Sequence, residues 1–249
     1  MQSLWIGEVG LLERLSMASF VANGHAYHLY SYDEPAHLPA GVELRDAAQI
    51  LPRERIFRYA SGKEKGGYSG FADVFRYKLL RDKGGWWADT DVICLKPFTH
   101  SGPLLLGSER KRLWGRKICI GVMAAPAGHA LMQRCFEAAN ANDPATLRFA
   151  GNGEPIVRRL VAELGLESAI APPEWFNPVN WWQSASIGVP GSAALLKNMH
   201  YALHCYGESW RWRLQDREAT GLRGAVFGED TLLGALQRRY LPELRHAAA

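Results

Sequence analysis

No apolar run in this chain approaches the roughly 18 residues that a membrane-crossing helix needs, so a helical span is not expected. The opening MQSLWIGEVGLLERL lacks both the basic start and the uninterrupted apolar stretch of a secretion signal. A cytoplasmic location is therefore expected. Cysteine is scarce: Cys94, Cys119, Cys135 and Cys205 are widely separated and form no CxxC pair, which argues against a zinc knuckle or a disulfide framework and leaves buried thiols. Internal repeats, low-complexity tracts and a recognisable linker are missing as well. The 249 residues, 47% hydrophobic and 22% charged, are thus read as one domain, 1–249, large enough for a sizeable core.

A strong excess of one charge is also lacking, since the formal net charge is only +4, but the distribution is uneven. Between Arg53 and Lys83 nine lysines or arginines stand against four acids. A second cluster, Arg110-Lys111-Arg112 with Arg116-Lys117, follows. Such patches suit an anionic small molecule or peripheral contact with an anionic membrane on its inner face, and equally a solvated basic surface. Nucleic acid is disfavoured because no recognised binding motif accompanies the charge.

Along the chain, strand and helix patterns alternate. Residues 3–6 read as a short strand, 11–22 as a helix with apolar residues at helical spacing, and 26–32 as a strand. A third strand, 42–44, precedes a helical turn stopped by Pro52, and the glycine-rich stretch 61–70 reads as a loop. Ser69 is expected to cap a helix over 71–81, ended by Gly84-Gly85. Residues 86–95 read as a strand broken at Asp89-Thr90-Asp91. Further strands are expected over 104–107 and 118–124, helices over 130–140 and 155–164, and an irregular aromatic loop over 172–182. This alternation predicts an α/β sheet flanked by helices.

The chemistry concentrates between Phe71 and Asp91, FADVFRYKLLRDKGGWWADTD. Carboxylates at i and i+2 beside a strand end can present hard oxygen ligands to Mg²⁺ or Mn²⁺, which would neutralise a diphosphate. A nucleotide sugar suits such a site. Asp73 and Arg76, three apart on a helix, project together. An Asp-x-Asp pair alone is weak evidence in a chain with nine aspartates, so its context decides.

That context is Asp73-x-x-Arg76, the Gly84-Gly85 turn, Trp87 two places before Asp89, Asp91 and the following Val92. It resembles the DXD sugar-binding segment of GT-A glycosyltransferases, in the group containing the initiating α-1,6-mannosyltransferase, the α-1,4-galactosyltransferases and the clostridial glucosylating toxins, with Trp87 where tyrosine is commoner. Upstream, Ser3-Leu4-Trp5-Ile6-Gly7 is similar to the family's first strand. Downstream, His204-Cys205-Tyr206-Gly207-Glu208-Ser209-Trp210 is similar to its late His…Ser-Trp element. The resemblance implies a GT-A-type, Rossmann-like nucleotide-sugar-binding sheet and hexose transfer from a UDP- or GDP-sugar to a glycan or lipid-linked acceptor, with retention. It implies Asp91 as direct metal ligand, Asp89 as partner through water or the donor ribose, and His204 either completing a Mn²⁺ or Mg²⁺ site as a neutral imidazole or donating to a phosphate oxygen. It further implies Asp73 and Arg76 on the transferred sugar and diphosphate, Trp5 and Trp87 in the donor pocket, and Ser209 and Trp210 over the leaving group.

Glu229-Asp230 is a candidate base should the reaction invert. Two alternatives stay open. A haloacid-dehalogenase-type phosphatase would use the first Asp of the pair as nucleophile, and a non-catalytic carbohydrate-binding protein would use the nine tryptophans for sugar stacking.

Overall fold

The computed structural model describes residues 1–62, 64–99, 102–209 and 227–244. Six strands form the central sheet: β1 (Gln2–Trp5), β2 (Tyr27–Ser31), β3 (Val42–Asp46), β4 (Gly85–Ala88), β6 (Leu105–Arg110) and β7 (Arg116–Ala125), in the order β3-β2-β1-β4-β7-β6. The first four in that order are parallel, while β7 runs antiparallel to β4 and β6 antiparallel to β7. A separate antiparallel pair joins β5 (Val92–Cys94) to β8 (Ala202–His204). The helices are α1 (Leu11–Ala22), α2 (Ser69–Lys83), α3 (Ala130–Asn140), α4 (Glu154–Leu164), the single turn α5 (Pro173–Phe176) and α6 (Leu232–Tyr240).

Period-two alternation along the strands assigns side chains to the two sheet faces. Leu4, Tyr30, Trp87, Leu106 and Met123 pack with α2, α3 and α4. Their strand neighbours Leu29, Ala88, Leu105, Val122 and Ala124 pack with Met17 and Phe20 of α1 on the other side. A third cluster joins α1 to α6 through Leu12, Leu15, Ile93, Leu203 and Leu236. Both faces are therefore covered, as a mostly parallel sheet requires. Phe71, Phe75 and Leu79 are almost fully buried and anchor α2; each contributes about 1.5–3 kcal/mol of apolar burial. The α/β sheet flanked by helices is as expected.

Two features place the site. The chain leaves β1 toward β2 on one side and has β4 on the other, so the switch in strand order falls between β1 and β4, where ligands of open α/β sheets bind beyond the strand carboxyl ends. Asp89 stands at the carboxyl end of β4. The expected broken strand is real, but its halves belong to different sheets, and residues 89–91 are the turn between them, closed by the Val92 N–H donating to the Asp89 carbonyl at 3.0 Å.

The helix at 71–81 is longer than expected, because Ser69 and Gly70 already lie within it and Ser69 is its first residue rather than its cap. Gly84 ends it with φ of +66° at no steric cost, and a Cβ there would fall 2.4 Å from the Ala127 nitrogen. The strands at 104–107 and 118–124 extend toward each other into a hairpin whose lower rungs pair Glu109 with Lys117 and Arg110 with Arg116. All four cysteines are free and buried. Among the described residues no helix is long and apolar enough to cross a membrane.

Candidate active site

Helix α2 delivers Asp73 and Arg76 from below, both buried. The Arg76 guanidinium sits 3.3 Å from Asp73 Oδ1 and 3.0 Å from Asp89 Oδ1, and it donates to the Ile120 carbonyl at 2.6 Å. Its plane lies 4.8 Å from the Trp87 ring centroid, and the Trp87 indole N–H donates to Asp89 Oδ1 at 2.8 Å. One cation thus serves two carboxylates in a desolvated corner, a geometry that suits the planar fork of arginine better than a lysine ammonium. Burial is the largest influence on Asp73 and outweighs Arg76, pushing its carboxyl up to about 7. Asp89 is also raised, by burial and by the Asp91 charge working against Arg76.

Asp91 turns the other way. Its Oδ2 accepts from the Gly207 N–H at 2.8 Å, and its Oδ1 lies 3.3 Å from His204 Nε2. Its carbonyl accepts from the Cys205 N–H at 2.9 Å, stitching the 89–91 turn to the strand that carries His204. Burial alone would lower the His204 pKa; the Asp91 carboxylate overrides it and holds the imidazolium well above the usual range.

A network behind His204 orients the ring. Asn177 donates its Nδ2 to the Ser108 carbonyl at 2.9 Å, which leaves Asn177 Oδ1, 2.9 Å from His204 Nδ1, as an acceptor. In the neutral ring Nδ1 therefore carries the proton and Nε2 presents a lone pair to the Asp91 side. Tyr206 stacks on His204 with centroids 4.1 Å apart, and its hydroxyl lies 2.8 Å from Glu109 Oε2, which Lys117 holds from the far side at 2.8 Å through Oε1.

Ligand atoms of Asp89, Asp91 and His204 all lie within 4.8 Å of one another, and the donor set, two carboxylates and an imidazole with a fixed tautomer, fits a hard or borderline divalent cation. Gly121 makes this convergence possible: a Cβ there would stand 3.0 Å from His204 Cε1 and 3.2 Å from Asp89 Oδ2. The three open onto a cavity of about 460 Å³, also lined by Asp73, Arg76, Glu109, Lys117, Glu154, Tyr68, Trp181 and Ser209.

The structure brings together Asp73, Arg76, Asp89, Asp91, His204 and Ser209 of the expected set. Two expected donor contacts lie elsewhere. Trp87 is 1% exposed, with its indole N–H bonded to Asp89, so it supports a carboxylate from inside the core. Trp5 donates its indole to the Glu8 carbonyl and does not line the cavity. The candidate base is displaced too, because Asp230 binds the Gly191 N–H at 3.0 Å and neither it nor Glu229 reaches the cavity. Trp210 lies outside the described residues. Asn177 and Glu109 are not singled out by the sequence, while Tyr206 enters only within the His204–Trp210 element and Lys117 only within the basic cluster. The register of the hairpin, which faces Glu109 with Lys117, is the one signal that pairs those two.

Residues 43–110 match the family model described as "Glycosyltransferase sugar-binding region containing DXD motif", a segment that holds Asp73, Arg76, Asp89 and Asp91. The match is confined to residues 43–110 of the 249 and likens that segment to the sugar-binding region of DXD glycosyltransferases. Among solved structures the chain is similar to the PaToxG glycosyltransferase, at 14% identity and TM-score 0.47, over 67% of this chain and 69% of that one. It is also similar to the glycosyltransferase GlyE of Streptococcus pneumoniae TIGR4 in its apo form and in a second structure, at 11% and 12% identity and TM-scores of 0.42 and 0.41. Those two matches cover 98% of this chain and 63% of the GlyE chain. No curated relative matches.

Proposed function

We propose that the protein transfers a hexose from a UDP- or GDP-sugar to a glycan or lipid-linked acceptor, with retention and with Mn²⁺ or Mg²⁺ held by Asp89, Asp91 and His204. The convergence of those three side chains within 4.8 Å at the wall of one cavity carries the reading. When bound, the cation would supply charge stabilisation to the departing diphosphate. Arg76, locked by three acceptors, aims Asp89 and opposes the rise that burial and Asp91 impose on its carboxyl. Asp73, titrating near 7 on the cavity wall, can accept from or donate to a sugar hydroxyl. His204 and Ser209 face the space where the leaving group would sit. A retaining transfer, with the acceptor entering from the face that the diphosphate leaves, needs no separate base, in keeping with the remoteness of Glu229-Asp230. The reading places the protein in the cytoplasm, in peripheral contact with an anionic membrane and acting in surface polysaccharide assembly.

The deciding experiment is a thermal-shift screen of UDP- and GDP-sugars with and without Mn²⁺, coupled to detection of released nucleoside diphosphate. A donor present at about 100 times its Kd should add about 2.7 kcal/mol, or roughly 5–10 °C, only with the metal. Failure of every sugar nucleotide to give a metal-dependent shift, or vanadate-sensitive phosphoester hydrolysis, would overturn the proposal.

A further inference from the structure

The hairpin that walls the cavity ends in a tip that no contact among the described residues explains. Beyond the Arg110–Arg116 rung, residues 111–115 form a turn closed by the Lys111 N–H donating to the Gly115 carbonyl at 2.9 Å. At its apex Leu113 and Trp114 are 87% and 88% exposed, whereas the next most exposed large apolar side chain among the described residues, Val189, reaches 52%. Five cations surround the pair and residues 110–117 contain no acid. Arg110 is held by Glu174 and Lys117 by Glu109. Lys111, Arg112 and Arg116 have no ion-pair partner among the described residues.

We infer that this tip is a membrane anchor that inserts Leu113 and Trp114 into the interface of an anionic bilayer while Lys111, Arg112 and Arg116 lie among the phosphates. The occupant follows from the chemistry of the loop. An indole prefers the headgroup boundary, a leucine beside it gains only from an apolar phase, and flexible cationic side chains can extend to the headgroups around them. A nucleic acid would use the cations and could stack on Trp114, but would leave Leu113 without a partner. The position has a use under the proposed lipid-linked acceptor, on which the functional meaning of the anchor rests. Glu109 and Lys117 line the cavity four and three residues from the apex pair, roughly 10–13 Å at ~3.3 Å per residue, so a tip seated in lipid holds the cavity beside the bilayer surface.

Co-sedimentation of the full chain with vesicles tests this without any sugar nucleotide, so its failure would leave the transferase reading standing. With vesicles of 70% phosphatidylcholine and 30% phosphatidylglycerol at 0.1 M salt, the protein should pellet; with pure phosphatidylcholine, or at 0.5 M salt, it should stay largely in solution. The L113S/W114S variant should bind at least tenfold more weakly, and K111Q/R112Q/R116Q on the order of a hundredfold more weakly. Both should keep the wild-type Tm and basal nucleotide-sugar hydrolysis, since the altered side chains support nothing in the fold. The anchor is overturned if pelleting ignores phosphatidylglycerol, or if L113S/W114S pellets like wild type. It is equally overturned if a single-stranded RNA 12-mer binds more tightly than the vesicles and L113S/W114S loses that binding instead.

Discussion

Asp89 and Asp91 are two residues apart and belong to different halves of the molecule. Asp89 ends β4 of the six-stranded sheet and is gripped from α2 by Arg76 and from its own strand by Trp87. Asp91 opens onto the two-stranded β5–β8 pair, fixed by the Gly207 N–H and facing His204. The first half is a preformed electrostatic cage in which Arg76 and Trp87 hold Asp89 Oδ1 from within the protein. The second is a seam between distant parts of the chain, and the proposed cation would lie along it. The teaching of the contrast is that one carboxylate is positioned by the fold, whereas the other positions the late strand that completes the site.

Removing Asp91 should therefore break function more than fold. Asp91→Asn keeps an acceptor for the Gly207 N–H but loses the ligand charge, so Mn²⁺-dependent stabilisation should vanish and nucleotide-sugar turnover should fall on the order of 10³-fold, read by thermal shift and product release. A fully retained metal response would mean that Asp91 is a structural link only. The reverse is expected of the first half. Arg76→Met leaves the buried Asp73 beside the half-buried Asp89 with no cation, which should cost about 3 kcal/mol in urea unfolding. Adding Asp73→Asn to Arg76→Met should recover part of that loss; an additive further loss would break the assignment of a shared charge.

The same division explains what could be read from the residues alone. The cage was legible because its members lie within one short segment whose helical and strand periods are regular: Asp73 and Arg76 at i, i+3, then Gly84 as terminator, then Asp89 at the strand end. The seam was partly legible through resemblance at His204, but its support was not. Asn177 comes from a turn after α5, Tyr206 from beyond β8, and Glu109 and Lys117 from facing rungs of a hairpin, and no local period connects them. Trp5 and Trp87 went astray for a related reason. A tryptophan near a motif reads as a substrate contact, yet its large apolar surface also makes it a core residue, and at Trp87 the core won. The helix begins at the exposed Ser69 and the buried Gly70, two residues before the expected start, a shift of the size by which helix ends ordinarily vary.

A pH series sharpens the cage further. Because the Asp73 carboxyl is raised to about 7 from an unfolded value near 3.8, folding favours its protonated form. Its stabilising contribution is fully present below about pH 3.8 and is lost as pH rises through about 7. Asp73→Asn should therefore match wild-type stability near pH 4 and exceed it by roughly 2–4 kcal/mol at pH 8 in the absence of metal. Equal stability at both pH values would show that Arg76 fully compensates the buried charge.

The smallest expected effect tests the seam through a residue that touches no substrate. Asn177 holds the Nδ1 proton of His204, and because the Ser108 carbonyl already takes its amide nitrogen, the oxygen cannot rotate away. Asn177→Ala should free the imidazole to adopt either tautomer and weaken Mn²⁺ binding about 10–100-fold, the usual penalty for losing a hydrogen-bond partner of a metal-bound histidine. Asn177→Asp, which can still accept from Nδ1 and makes the ring more basic, should restore part of the affinity. If Asn177 served packing alone, both variants would lower Tm in step while leaving metal affinity unchanged. If it sets the tautomer, isothermal titration with Mn²⁺ should separate the two substitutions even where their melting curves coincide.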